Sequence, residues 1–244
     1  MMDALLPVVI LAGGLATRMQ PMTQFIPKSL LPIDGIPFIV HQLQLLKQFG
    51  VTKVILCVGY KGDMIEQSIG NGHHLGLSVA YAYDGEVLKG TGGAILKALP
   101  MIEQNEFFVL YGDSYLMCDY RDIQKHFYQQ NKNGLMTVFH NAGMWDASNV
   151  EYCESCIIRY DKVNKTSSMT HIDYGLGVMS KRAFEDFNHD DVFDLSKVYQ
   201  NLLRNNELGA YEVKNRFYEV GSPDGYREFS DYMEKLNKEE TCIS

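Results

Sequence analysis

Apolar residues along the first half of this chain alternate between short unbroken runs and helical spacing. Residues 7–12, centred on Val8-Val9-Ile10, read as a first buried strand, because a short continuous apolar run suits a strand covered on both faces. Pro37 to Phe49 carries Ile39, Leu43 and Leu46 at helical spacing and stops at Gly50, which predicts a helix with a glycine C-terminus. Residues 53–58 are a second strand, and 62–69 a short helix closed by Gly70-Asn71-Gly72. Residues 77–83 are a third strand and 92–99 a helix broken at Pro100. Residues 107–111 are a fourth strand that runs into Gly112-Asp113. Such alternation predicts an α/β fold, with a mostly parallel sheet flanked by helices on both faces. Ligands in such sheets bind at the carboxyl ends of the strands.

The second half is less regular. Residues 122–130 read as helix and 135–140 as strand, and 147–178 as short strands joined by a polar turn, Asp161 to Ser168. Asp194 to Arg204 is a helix with Asp194 as its N-cap. Residues 210–220 carry one or two strands, and Pro223 to Asn237 is a charged terminal helix. No linker or repeat interrupts the chain. A single domain, 1–244, is expected, with residues 7–140 and 141–235 as its two parts.

Composition narrows the picture little further. Apolar content of 46% is ordinary for a globular core, and no apolar run approaches a membrane span. A net charge of −8 argues against a nucleic-acid partner but not against a nucleotide, for which a few local cations suffice. The N-terminus lacks the pattern of a secretory leader, so a cytoplasmic location is expected. The five cysteines, Cys57, Cys118, Cys153, Cys156 and Cys242, are then expected as free thiols. Cys153 and Cys156 form a C-x-x-C pair without the further ligands a structural zinc site needs, and are read as having no functional role.

Candidate chemistry begins where the first strand ends. Gly13-Gly14-Leu15-Ala16-Thr17-Arg18 follows it, and Pro27-Lys28-Ser29-Leu30-Leu31-Pro32 comes after a polar stretch. A strand feeding a glycine-rich turn offers backbone N–H groups to an anion, and Arg18 and Lys28 add positive charge beside it. That is equipment for a polyphosphate. The dinucleotide fingerprint G-x-G-x-x-G is excluded, because from Gly13 its later positions hold Leu15 and Arg18. Gly85 to Thr91 misses the P-loop pattern by the lysine after its second glycine.

The same residues resemble the signature of the sugar-1-phosphate nucleotidyltransferases, A-G-G-x-G-T-R followed by P-K-(P/S)-(L/M)-(L/V)-P. Ala16 departs from it, standing where the family has glycine. If that position needs φ > 0, alanine costs about 1 kcal/mol, and the loop is expected to tolerate it. The resemblance covers about residues 7–235 and implies the Rossmann-like nucleotide-diphospho-sugar transferase fold. It also implies nucleotidyl transfer from a nucleoside triphosphate to a sugar 1-phosphate, with loss of pyrophosphate. The attacking phosphate is already anionic, so the protein's task is positioning and charge neutralisation, without a general base.

Site roles follow from the resemblance. Arg18 and Lys28 act on the transferring phosphates as catalytic cations. Leu11, Ala12, Gly13, Gly14, Ala16, Thr17, Gly90, Thr91 and Gly92 bind the nucleotide. Gly112, Glu151, Lys162, Asp173 and Gly175 bind the sugar phosphate, Glu151 within Asn149-Val150-Glu151. Asp113 and Glu219 hold Mg²⁺, Glu219 replacing the family's usual aspartate before Val220-Gly221-Ser222-Pro223. Ser222 and Pro223 also suit the start of a helix, and the two readings are compatible. Gly90 to Ile95 most resembles guanylyltransferases acting on manno-heptose 1-phosphate and uridylyltransferases acting on N-acetylmuramate 1-phosphate. Guanylyl transfer to a heptose 1-phosphate is therefore expected. Uridylyl or cytidylyl transfer to another phosphorylated acceptor stays open, as do a non-catalytic nucleotide-sugar-binding regulator and assembly as a homo-oligomer. Trp145 and the pair His73-His74 lack a partner pattern and are read as structure or surface.

Overall fold

The computed structural model describes residues 4–243, with side chains through residue 239. Along the chain it has β1 (Val8–Leu11), β2 (Pro32–Ile33), β3 (Ile36–Pro37), α1 (Phe38–Phe49), β4 (Lys53–Val58), α2 (Gly62–Ile69), β5 (Ser78–Tyr83) and α3 (Gly90–Ala98). There follow β6 (Glu106–Tyr111), β7 (Ser114–Tyr115), α4 (Tyr120–Gln130), β8 (Gly134–His140), β9 (Val150–Cys153), β10 (Cys156–Tyr160) and β11 (His171–Ser180). The chain closes with α5 (Leu195–Arg204), β12 (Leu208–Val213), β13 (Tyr218–Glu219) and α6 (Pro223–Ile243).

A nine-stranded mixed sheet runs through both parts of the chain, in the order β10-β9-β11-β6-β1-β4-β5, with β8 on β11 and β12 on β8. Strands β5, β4, β1 and β6 are mutually parallel, as the alternation predicts. The antiparallel partner is β11, which pairs with β6 and β8. Side-chain alternation in the strands separates the two layers. Val8 and Ile10 of β1 join Ile39, Leu43 and Leu46 of α1, Ile65 of α2 and Ile123 of α4 on one face. Val9 joins Ile95 of α3 and Leu195, Val198 and Leu202 of α5 on the other. Each strand of the parallel core is thus apolar at consecutive positions because both faces are covered.

Several expected elements need correction. The stretch 147–178 contains a short hairpin, β9–β10, and then one ten-residue strand, β11. β11 is irregular in the middle: Asp173 pairs with Val138 but Gly177 with Met136, so extra residues bulge between them. Polar Asp173 and Gly175 interrupt the apolar run, which hides a continuous strand from sequence reading. Helix α3 starts at Gly90, ahead of the expected Gly92, and α6 continues past Asn237. Phe229 of α6 fills a third small core with Phe38, Tyr115 and Val220, its ring 5.4 Å from that of Phe38.

The turn after β6 depends on Gly112. A Cβ there would lie 2.2 Å from the Leu11 carbonyl oxygen. Gly112→Ala is expected to lower stability by about 1–3 kcal/mol, because neither strand can move without breaking the sheet. It would be read as a reduced urea midpoint with an unchanged slope. A midpoint equal to wild type would contradict this packing.

Candidate active site

The carboxyl ends of β1, β4, β5 and β6 open into one cavity of about 710 Å³. Leu11, Ala12, Gly13, Gly14, Arg18 and Lys28 line it from the first loop, Gly90 and Thr91 from the start of α3, and Gly112 and Asp113 from the turn after β6. Lys162, Asp173, Gly175 and Glu219 complete the predicted residues that reach it.

Four predicted residues do not line it. Ala16 sits in the loop in the left-handed conformation, φ 51°, ψ 41°, so the position does require φ > 0. Alanine bears that strain, about 1–2 kcal/mol, where glycine would not. The buried Thr23 hydroxyl holds the turn by donating to the Ala16 carbonyl at 3.0 Å. Thr17 starts a single helical turn beside it. Gly92 serves packing, since a Cβ there would lie 2.3 Å from the Phe193 ring. Glu151 lies within β9, off the cavity, which Asn149 lines in its stead. The Asn149 amide oxygen accepts the Asp173 N–H at 2.9 Å.

At the phosphate end, Lys28 Nζ lies 2.5 Å from Asp113 Oδ2. Burial pushes the Asp113 carboxyl up, but the charge and hydrogen bond of Lys28, with Arg18 nearby, overcome this and hold it below its usual value. Asp113 is fixed through its backbone. The Gln42 amide of α1, 1% exposed, donates to the Tyr111 and Ser114 carbonyls at 3.0 and 2.7 Å. Val220 N–H donates to the Asp113 carbonyl at 2.9 Å, and β13 pairs with β7 so that Glu219 faces Ser114. This two-residue ladder brings Asp113 and Glu219 together from positions far apart in the chain.

The two carboxylates converge at Gly221. A Cβ there would stand 2.8 Å from both Asp113 Oδ2 and Glu219 Oε2. Burial pushes the Glu219 carboxyl above its ordinary value, opposed by bonds from Ser222 and Gly221 and reinforced by the Asp113 charge. Ser222 has both roles read from the sequence. Its hydroxyl donates to Glu219 Oε1 at 2.5 Å and accepts the Gly225 N–H at 3.0 Å at the start of α6. A pair of carboxylates beside phosphate-binding groups suits Mg²⁺, which takes one or two carboxylates and completes its shell with phosphate and water. Among the described residues no third histidine, cysteine or acidic side chain joins them.

Across the cavity, Lys162 Nζ bonds the Tyr111 hydroxyl at 3.3 Å and pairs with Asp194 Oδ1 at 3.5 Å. Asp194 caps α5 through Ser196 N–H and also accepts the Thr91 hydroxyl at 2.8 Å. One helix cap thereby ties the first turn of α3 to Lys162. The Asp173 carboxylate is fully engaged: Oδ2 accepts the Tyr111 and Tyr160 hydroxyls at 2.7 and 3.0 Å, and Oδ1 the Gly175 N–H at 3.1 Å. It lines the cavity as an anchor for other groups.

Residues that sequence reading missed also reach the cavity. Trp145 is one, taken above as structure or surface. Arg216 lies 4.6 Å over its ring and Phe139 packs 5.6 Å from it. Ser29 is buried, with a hydroxyl that has no hydrogen-bond partner among the described residues. Asp84, Asp146 and Lys165 complete the charged lining. Trp145 carries only its residue type as a signal, whereas Asp84 directly follows the third expected strand, at the carboxyl end where ligands bind. Cys153 and Cys156 face each other across the exposed β9–β10 turn, and neither lines the cavity. Cys57, Cys118 and both of these are free, and the Cys242 side chain lies outside those described.

A glycine loop with cations, beside paired carboxylates at the carboxyl end of a parallel sheet, suits an enzyme that handles a nucleoside polyphosphate. The chain belongs to the nucleotidyl transferase family, whose model matches residues 7–147. It is 30% identical over 224 residues to D-glycero-alpha-D-manno-heptose 1-phosphate guanylyltransferase of Campylobacter jejuni, covering 91% of this chain and 97% of that one. Over a shorter stretch of 105 residues it is 37% identical to N-acetylmuramate alpha-1-phosphate uridylyltransferase of Neisseria meningitidis, 43% of this chain and 46% of the relative. The fold superposes on HddC from Yersinia pseudotuberculosis complexed with GMP-PN with a TM-score of 0.78, at 27% identity, covering 93% of this chain and 99% of the other. No helix among the described residues is long and apolar enough to cross a membrane.

Proposed function

We propose that this protein transfers a guanylyl group from GTP to a heptose 1-phosphate in a Mg²⁺-dependent reaction. The observation that carries the reading is the meeting of Lys28, Asp113 and Glu219 in one cavity that Lys162 also lines. The glycine loop and Arg18 receive the triphosphate, and Lys162 receives the acceptor phosphate. An acceptor phosphate oxygen then bonds to the α-phosphorus while the bond from α-phosphorus to the bridging oxygen breaks and pyrophosphate leaves. Arg18 and Lys28 neutralise the charge that gathers on the transferring and leaving groups. Mg²⁺, held by Asp113 and Glu219, would supply charge neutralisation at the same phosphates.

The guanylyl choice is supported by the heptose guanylyltransferase relative, which matches along nearly its whole length. A second reading, uridylyl transfer to another sugar phosphate, draws on the uridylyltransferase likeness of one part of the chain. A pyrophosphate-release panel separates them: four nucleoside triphosphates with Mg²⁺ against heptose, mannose and N-acetylmuramate 1-phosphates. Guanylyl transfer predicts GTP with the heptose phosphate as the best pair, and preference for UTP or CTP overturns it. No release with any pair would leave nucleotide-sugar binding without catalysis.

Trp145 gives an optical check. It is the chain's single tryptophan, lines the cavity, and comes from a segment that lies beyond β6 from β4 and β5. Its emission is expected to change on adding acceptor to the GTP-bound protein and to stay constant when GTP alone is titrated. Equal responses to both ligands would remove Trp145 from the acceptor side.

A further inference from the structure

Asp84 is a cavity carboxylate that neither the phosphate nor the acceptor chemistry uses. It follows β5, is 7% exposed, and lines the cavity with Cys57, Leu88 and Ala94. Its backbone is fixed on both sides: Asp84 N–H donates to Val58 and Lys97 Nζ donates to its carbonyl at 2.8 Å. Oδ2 accepts a long 3.3 Å bond from Lys89 N–H, and no hydrogen bond reaches Oδ1 among the described residues.

Strand order decides what this carboxylate faces. β5 and β4 lie on one side of β1, and β6 and β11 on the other. The triphosphate loop follows β1, and Lys162 and Trp145 come from the segments beyond β6. The nucleoside half of the donor is therefore left the β4–β5 side, where apolar Leu88 and Ala94 can cover a base. Asp84 Oδ2 and the Gly13 carbonyl meet there, since a Cβ on Gly59 would stand 3.2 Å from the first and 2.9 Å from the second. Two acceptor oxygens thus border that corner, each already taking one long backbone N–H bond, from Lys89 at 3.3 Å and from Tyr60 at 3.4 Å.

A carboxylate presents two acceptors side by side. Guanine answers with two adjacent donors, N1–H and the 2-amino group. Uracil and thymine offer one N3–H between two carbonyls, which the carboxylate would repel. Adenine and cytosine place an acceptor nitrogen beside their amino group. The geometry points to Asp84 as the specificity-determining residue for the base, accepting N1–H and the 2-amino group of guanine. This rests on the guanylyl reading above and assigns that preference to a side chain.

The test uses the full chain, Mg²⁺ and heptose 1-phosphate, with kcat/KM for pyrophosphate release measured for GTP, ITP, XTP and UTP. ITP lacks the 2-amino group, so the wild type is expected to prefer GTP over ITP by about 10- to 100-fold. XTP carries a carbonyl at that position and should be poorer still. Asp84→Asn keeps the shape and the bond from Lys89 but exchanges one acceptor for a donor. It is expected to lower kcat/KM for GTP by about 100-fold and to make XTP the better substrate. Equal use of GTP and ITP by the wild type would overturn the proposal, as would an Asp84→Asn variant with the wild-type ratio of GTP to XTP. If the variant does not fold, the wild-type ratio of GTP to ITP decides. A wild type that prefers UTP to GTP would overturn the guanylyl reading itself, a result distinct from indifference between GTP and ITP.

Discussion

Replacing Asp113 with asparagine is expected to lower kcat by about a thousandfold with the fold intact, because the site would lose the proposed Mg²⁺ ligand and the ion-pair partner of Lys28 together. The change is nearly isosteric, and the backbone bonds from Gln42 and Val220 that fix the turn remain. Lys28, half-buried, would lose its direct ion-pair partner and be free to move. The variant should also need more Mg²⁺ for half-maximal rate, and chelation should abolish wild-type pyrophosphate release. A variant within tenfold of wild type at saturating Mg²⁺ would remove Asp113 from metal binding. Stability carries a sign as well. The folded carboxyl is held below its unfolded value, so the ion pair stabilises the fold above the ordinary aspartate range. That contribution is lost as pH falls through the depressed folded value, and Asp113→Asn should lack this part of the acid loss.

Arg18→Ala is expected to lower kcat by about 100- to 1000-fold while raising KM for GTP only a few-fold. Arg18 lines the cavity beside the triphosphate loop, and its charge already acts on Asp113 in the free protein. Its planar fork suits the charge that builds on the leaving pyrophosphate, so its loss falls on the transition state more than on the bound triphosphate. Steady-state kinetics with a direct GTP binding measurement separate the two. Equal losses in kcat and in GTP affinity would assign Arg18 to binding alone.

The parallel half of the fold was legible because each element there repeats one pattern without interruption. Ile39, Leu43 and Leu46 mark α1, and all three are buried against the sheet. β11 was not legible, because its bulge places Asp173 and Gly175 in the middle of a buried strand, and a period-two reading breaks at a bulge. The family signature led to Arg18, Lys28, Asp113 and Glu219, which all reach the cavity. Ala16, Thr17, Gly92 and Glu151 do not line the cavity, since neighbours along a motif do not all face the same side. Gly92 shows the reason: it is pressed against Phe193, a contact no local pattern encodes.

By itself the sequence determined the class of sheet, the glycine loop with its two cations, and the residue types able to neutralise a polyphosphate. These are local properties, set by periodicity and by short spacings along one strand and its following turn. Only the tertiary structure decided that Asp113 and Glu219 share one point, through a two-residue ladder and the Gln42 bonds. It alone placed Asp84 on one side of the loop and Trp145 with Lys162 on the other. Those relations depend on strand order and burial, which join residues as far apart as Asp113 and Glu219 and are not set by the local pattern around either.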